Sequence, residues 1–323
     1  MPSYFVSFRI ITGMSMHPSP TIARQWFPCV DSPDRAFTAE FEITVDYNMV
    51  AVCTGSLVSQ HCDEARTWRR FSYSISSPTV ASGIVVNVAP YIVVPDPNLP
   101  NVTYFCLPGK ESLIRPTTSV LAEIKAFLER YLGEEYSHPS FNLIFDEGPV
   151  TCELAVGPGL AIMREDLMHR KNTIEEALES GESLAFLFAC AWFQALLPLK
   201  SWRDVWIHMG LAGFLRDLFF REKLGENEHK LRIRAALNRV AKLDVHMAPL
   251  CPENITHPAE LFYESALIKA TVVFHMLERR TNNKAFQGYV RSLLKNGVES
   301  GRTSISTQRC VHSNLHFNSR IVE

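Results

Sequence analysis

From Leu184 to Leu199 the chain carries no charge, and only Gln194 and Pro198 interrupt its apolar side chains. Such a run has to leave water. It is shorter than the ~20 residues that cross a bilayer, so it is expected as a helix buried inside a folded core. A helix hydrophobic on every side needs neighbours on every side. The chain can supply them: 323 residues, 46% of them hydrophobic, with a mean hydropathy of −0.01, suit one large or two medium domains. A formal net charge of −2 gives no global basic field for nucleic acid. The eight cysteines lie mostly in apolar runs and read as reduced, as in a nuclear or cytosolic chain. Met1–Thr12 lacks the basic region and small-residue site of a signal peptide. Without a secretory context, the glycosylation triplets at Asn101 and Asn254 are chance matches.

The hydrophobic period changes along the chain. Phe41-Glu-Ile-Thr-Val45 alternates, and Ile84–Val88 and Tyr91–Val94 are short β-branched runs, so residues 22–105 read as strands. Pro95-Asp-Pro-Asn-Leu-Pro100 is the expected domain junction. From about residue 117 the period is helical: Val120, Leu121, Ile124, Phe127, Leu128 and Tyr131 form one stripe that ends at Gly133. Thr173 and Glu176 have capping-box spacing before the helix that runs towards Pro198. Further helices are expected at 203–224, 227–243, 259–279 and 284–295, and periodicity is lost from residue 298.

The buried run contains Trp192-Phe193. It is followed by Trp202, Asp204, Trp206, Gly210, Ala212 and Phe214. In these positions the pair of segments resembles the zinc-binding helices of the gluzincin aminopeptidases, the aminopeptidase-N family. There the first helix carries His-Glu-x-x-His before Gln-Trp-Phe, and the second carries Asn-Glu-Gly. Upstream, Gly159-Leu-Ala-Ile-Met-Arg-Glu165 is similar to that family's Gly-Leu-Ile-Thr-Tyr-Arg-Glu. Downstream, Lys269–Leu277 resembles its Lys-Gly-Ala-x-Val-x-x-Met-Leu helix. The resemblance implies an α+β fold: a β-rich N-terminal (partial) domain over 1–100, a mostly helical thermolysin-like pseudo-peptidase domain over 101–297, and a divergent tail over 298–323.

The same alignment empties the active site. The two histidine positions fall on Phe186 and Cys190, the general base on Leu187 and the ligand glutamate on Met209. The carboxylate that holds the substrate's amino group falls on Val156, and Glu153 would fit only with a register shift. The oxyanion tyrosine falls on Leu267, one helical turn from Tyr263. A phenyl ring has no lone pair for zinc, and a thioether is a soft, neutral ligand better suited to Cu(I). One thiolate does not make a site. No metal, no cofactor, no small-molecule substrate and no catalysis are therefore expected.

Arg24-Gln-Trp-Phe-Pro-Cys-Val-Asp-Ser32, Thr44-Val-Asp46, Met49-Val-Ala-Val52 and Val102-Thr-Tyr-Phe-Cys-Leu-Pro108 resemble the subunit-two family of the general transcription factor TFIID, a non-catalytic branch of the aminopeptidases. Ser201-Trp-Arg-Asp-Val-Trp206 and Leu224-Gly-Glu-Asn-Glu228 agree. This resemblance implies a scaffold in RNA polymerase II initiation, with other TFIID subunits and core-promoter DNA as partners, in the nucleus and not on a membrane. The alternative is a zinc-dependent aminopeptidase of the aminopeptidase-N family. An inactive peptide-binding protein using the old cleft ranks lower, because the amine-binding carboxylate is missing.

Two weaker signals remain. Residues 216–242 hold eight Lys or Arg against four acids, and Arg232, Arg234, Arg239 and Lys242 are candidate DNA or partner contacts. A solvated helix face explains the same charges. Cys310-x-His312-x3-His316 has metal-like spacing but no fourth ligand.

Overall fold

The computed structural model describes residues 3–10, 14–16, 23–136, 138–146, 156–197, 199, 201–244, 249–252 and 264–300. The described chain contains twelve strands and eight α-helices, and its contacts group into two compact units: 1–122 with 137–187, and 123–136 with 188–323.

The first unit holds all the strands. One sheet has the order β1-β3-β6-β5, with β1 Ser3–Ile10, β3 Ala36–Asp46, β5 Ser56–Cys62 and β6 Trp68–Val80. On β3, Phe37, Ala39, Phe41, Ile43 and Val45 are buried while the residues between them are not. That strict period of two is what a sheet with one covered face demands. Phe71, Tyr73 and Ile75 of β6 and Phe27 join the same core, beside the short α1 Ala23–Trp26. A second sheet has the order β2-β7-β4, with β2 Met14–Met16, β4 Val50–Cys53 and β7 Val86–Ala89.

The third sheet runs β11-β12-β10-β9-β8, with β8 Ile92–Pro95, β9 Val102–Cys106, β10 Phe141–Asp146, β11 Val156–Gly157 and β12 Leu160–Arg164. β10 lies parallel to both β9 and β12. It is central, and Leu143, Ile144 and Phe145 are fully buried in succession, as parallel strands covered on both faces require. Pro95–Pro100, the expected junction, instead connects two antiparallel neighbours of this sheet, β8 and β9. Asp96 holds the turn by accepting from the backbone N–H groups of Asn98 and Leu99. The frame glycine Gly159 sits at φ +72 between β11 and β12, a conformation that a side chain would strain.

Before the expected helical stripe lies a helix the periodicity did not show, α2 Glu111–Thr118, which contains Pro116. Within it Thr117 and Thr118 donate their hydroxyls to the carbonyls of Leu113 and Ile114. The stripe itself is α3 Leu121–Leu132. The long buried helix is α4 Glu175–Leu196. Its residues through Leu187 group with the first unit and those from Phe188 with the second. The capping box does not form: the Thr173 hydroxyl bonds His169 Nδ1 and the Arg170 carbonyl, and Ile174 accepts the first helical bond, from Leu178.

The second unit is helical: α5 Val205–Leu224, α6 Glu226–Leu243, α7 Glu264–Thr281 and α8 Asn283–Ser300. α8 continues past the residue where periodicity was expected to end. Its start is fixed by Asn282, whose side-chain oxygen accepts from Ala285 N–H at 3.0 Å. No helix among the described residues is long and apolar enough to cross a membrane.

Candidate functional site

The uncharged run folds as expected of it. From Leu184 to Phe193 every residue of α4 is buried. In the second unit the ring of Tyr136 lies 5.1 Å from those of both Phe188 and Trp192, and Trp192 has no exposed surface. Phe193 brings α4 to α5, with its ring 6.1 Å from His208.

α5 is entered through a 3₁₀ turn at Trp202–Asp204, capped by the Ser201 hydroxyl, which accepts from Arg203 N–H. Its residues at spacings of three and four then lie along α7. The Trp206 ring is 5.7 Å from Phe274, and the Phe214 ring is 4.8 Å from His275. Asp217 accepts from or pairs with His275 Nε2 at 3.0 Å, and Arg221 reaches Glu278 at 3.7 Å. Between the aromatic contacts is Gly210. A Cβ there would stand 2.5 Å from the Phe274 ring and 3.0 Å from the Ala270 carbonyl carbon. Trp206, Gly210 and Phe214 belong to the frame the sequence picked out, and each is a packing residue against α7 or the rings beside it.

The six singled-out positions are all buried. Val156 is on β11, Phe186 and Leu187 are on α4, and these three belong to the first unit. Cys190 on α4, Met209 on α5 and Leu267 on α7 belong to the second. Phe186 and Cys190 stand one helical turn apart, as i and i+4 must. Glu153, Tyr263 and the Cys310–His316 tail lie outside the described residues.

Sequence reasoning passed over His208, next to Met209. Burial lowers its imidazole to about 4, against the raising effect of a hydrogen bond donated to the Leu197 backbone carbonyl, so it is neutral. Its Nε2 has no partner among the described residues. The signal was present as a histidine inside an apolar helix, a pattern usually satisfied locally. Also missed was the ion cluster on α5 and α7. Burial alone would lower His275, but hydrogen bonds to Asp217 and Glu278 outweigh it and raise the imidazole above its ordinary value. Arg216 pairs with Asp217 at 2.9 Å, Arg221 is near Glu278, and the His229 ring of α6 stands 5.3 Å from His275. Each of the two carboxylates thus has an arginine and His275 beside it.

These side chains do not fit a catalytic zinc. That ion takes imidazole and carboxylate donors on three protein ligands. The positions on α4 and α5 offer phenyl, isobutyl, thiol and thioether groups. Among the described residues no group of three or more His, Cys, Asp or Glu is gathered so as to hold a metal ion.

The candidate contact residues all lie on α6. Arg232 turns inward, bonding Glu228 at 2.7 Å and lying over the Phe220 ring. Arg234, Arg239 and Lys242 are exposed.

No family model matches the chain. It is 33% identical over 223 residues to transcription initiation factor TFIID subunit 2 of Gallus gallus, covering 69% of this chain and 19% of that protein. It is 22% identical over 290 residues to a probable aminopeptidase 1 of Sulfurisphaera tokodaii, covering 85% of this chain and 36% of the other. Among solved structures, an M1 zinc metallopeptidase from Deinococcus radiodurans, an E323A mutant, superposes with a TM-score of 0.69 at 19% identity. The match covers 94% of this chain and 68% of that one, and it shows the fold: β-rich, then helical, as in the zinc metallopeptidases. The chain spans about a fifth of the length of the TFIID subunits it matches.

Proposed function

The chain is a homologue of one segment of TFIID subunit 2, and we propose that it acts as a non-catalytic scaffold within TFIID, in transcription initiation by RNA polymerase II. The observation that carries this reading is the fate of the aminopeptidase frame. Trp206, Gly210 and Phe214 stay as packing residues, while Phe186, Leu187, Cys190 and Met209 put buried side chains where the family holds zinc and its base. Val156 and Leu267 replace the amine anchor and the oxyanion donor. An abandoned site lined with unpaired polar groups costs roughly 1–3 kcal/mol for each; apolar side chains remove that cost and add buried surface. Ligands, base, anchor and oxyanion donor are all absent together, which describes a retired site and not a single lesion.

In this reading an aminopeptidase-like β domain precedes a gluzincin-like domain without zinc, the boundary standing ahead of β8 and not at residue 100, and a divergent tail follows α8. The partners are other TFIID subunits and, at the level of the family, core-promoter DNA, in the nucleus. Arg234, Arg239 and Lys242 are the side chains we assign to macromolecular contact; Arg232, turned towards Glu228 and Phe220, is withdrawn from that set. Sedimentation of tagged protein from nuclear extract tests the assembly: it should travel with TFIID, and migration on its own would contradict the reading. A gel shift at physiological salt tests the DNA contact, where a preference for promoter over random duplex is expected. Equal binding to both, or none, would remove DNA from the list of partners.

A further inference from the structure

Eighteen residues make up α6, and only His229 and Ile233 of them are buried. At 100° per residue these two share an inward stripe with the half-buried Ala236 and Val240. A helix seated on so few side chains depends on each of them. Ile233 gives a plain apolar contact, and the Arg232 guanidinium stands 5.6 Å over the Phe220 ring of α5. The far end is tied by Asp244, which pairs with Lys269 of α7 at 2.7 Å. His229 differs from these, because it meets another histidine. Its ring stands edge to face with that of His275, with centroids 5.3 Å apart.

The charges around this contact accommodate one proton and oppose a second. His275 has Asp217 of α5 at 3.0 Å from Nε2 and Glu278 of its own helix at 3.9 Å from Nδ1. Those carboxylates already have basic partners, Arg216 at 2.9 Å and Arg221 at 3.7 Å. Tyr131 of α3 lies within electrostatic reach of Glu278 and Arg221, and of Arg291 of α8. On α6 itself the acid that acts on His229 is Glu226, which is exposed and faces Lys230 at 3.8 Å. A second imidazolium would therefore meet His275 and Arg221 as like charges, while every acid that acts on either ring is already engaged.

We propose that the His229–His275 contact is an acid-sensitive latch on α6, seated while the pair holds one proton and released when it holds two. His275 keeps the single proton: against the lowering effect of burial, Asp217 and Glu278 raise its imidazole. Burial lowers His229, and His275 and Arg221 lower it further, against Asp217 and Glu226. The signs follow from linkage. The folded value of His229 lies below its unfolded one of about 6.5, so above that pH it costs the seating nothing. Below it the unseated helix takes the proton first, and seating weakens until the folded value is passed. His275 acts in the opposite sense: its stabilisation is complete below about 6.5 and is lost as pH rises through its raised folded value. Acid thus loosens α6 and leaves the pairing of α5 with α7 intact.

The test is hydrogen exchange of the whole chain at about pH 7 and about pH 5.5, read as protection factors so that the intrinsic pH dependence cancels. Protection of the α6 amides should fall by up to about tenfold per pH unit below about 6.5, while α7 keeps its own. His229→Gln and His229→Phe are neutral at every pH and should abolish that loss. Glutamine keeps a polar side chain and phenylalanine an aromatic edge, so failure of one to fold leaves the other as the test. The proposal is overturned where native α6 keeps its protection in acid, or where the loss persists in a folded neutral variant. It is equally overturned where α7 loosens in step with α6, since acid then acts on the whole helical unit. The readout is the seating of α6 itself, so a negative result leaves the scaffold reading standing.

Discussion

Replacing Met209 by glutamate is expected to destabilise the protein by about 3–5 kcal/mol, and added zinc is expected not to restore it. Met209 is 4% exposed on α5, and no described set of side chains stands ready to complete a metal site. A carboxylate there is desolvated without the ion that would hold it in the aminopeptidases. Desolvation disfavours the charged form, so the native carboxyl is pushed above its unfolded value of about 4.3. The sign follows. As pH rises past that value the unfolded chain releases its proton first, and stability falls until the raised native value is passed. The loss is therefore smallest in acid and largest near neutrality. Urea unfolding at several pH values, with and without zinc, reads it directly. Met209→Leu keeps volume and polarity and should cost less than about 1.5 kcal/mol.

The second large effect lies one residue further on. Gly210→Leu is expected to cost at least about 3 kcal/mol, at or beyond the upper end for overpacked cores. Even the first added carbon would meet the buried Phe274 ring at 2.5 Å and the backbone of Ala270 at 3.0 Å. Helix propensity works the other way, by up to about 1 kcal/mol in favour of the substitution, so packing decides the sign. Gly288 of α8 is the control, since nothing lies within 4 Å of a Cβ there. Gly288→Ala should leave stability unchanged or raise it by up to about 1 kcal/mol. Chemical unfolding of both variants measures the contrast.

These two neighbours show what could be read from the sequence. The buried helix was legible because an uncharged run too short for a membrane has only one place to go. The expectation of no metal chemistry came from residue types alone, since phenylalanine, leucine and methionine do not replace histidine and glutamate as zinc donors. The reason for Gly210 was not legible, because it lies in Phe274 and Ala270, residues of another helix far along the chain. α2 escaped notice because Pro116 lies inside it and argues against a helix. Thr173 and Glu176 had the right spacing for a cap, but His169 and Arg170 take the hydroxyl. The ion cluster around His275 escaped for the same reason as Gly210: Asp217, Glu278 and His229 come from three helices. On α6, by contrast, the charges were visible, while the inward stripe of His229 and Ile233 was set by packing.

We propose that this fold keeps an aminopeptidase frame for packing and not for catalysis. The most direct measurement is the zinc content of the purified protein, taken together with turnover of aminoacyl-naphthylamides. Substoichiometric zinc and no hydrolysis are expected, with chelator making no difference to either stability or activity. One zinc per chain with chelator-sensitive turnover would contradict it.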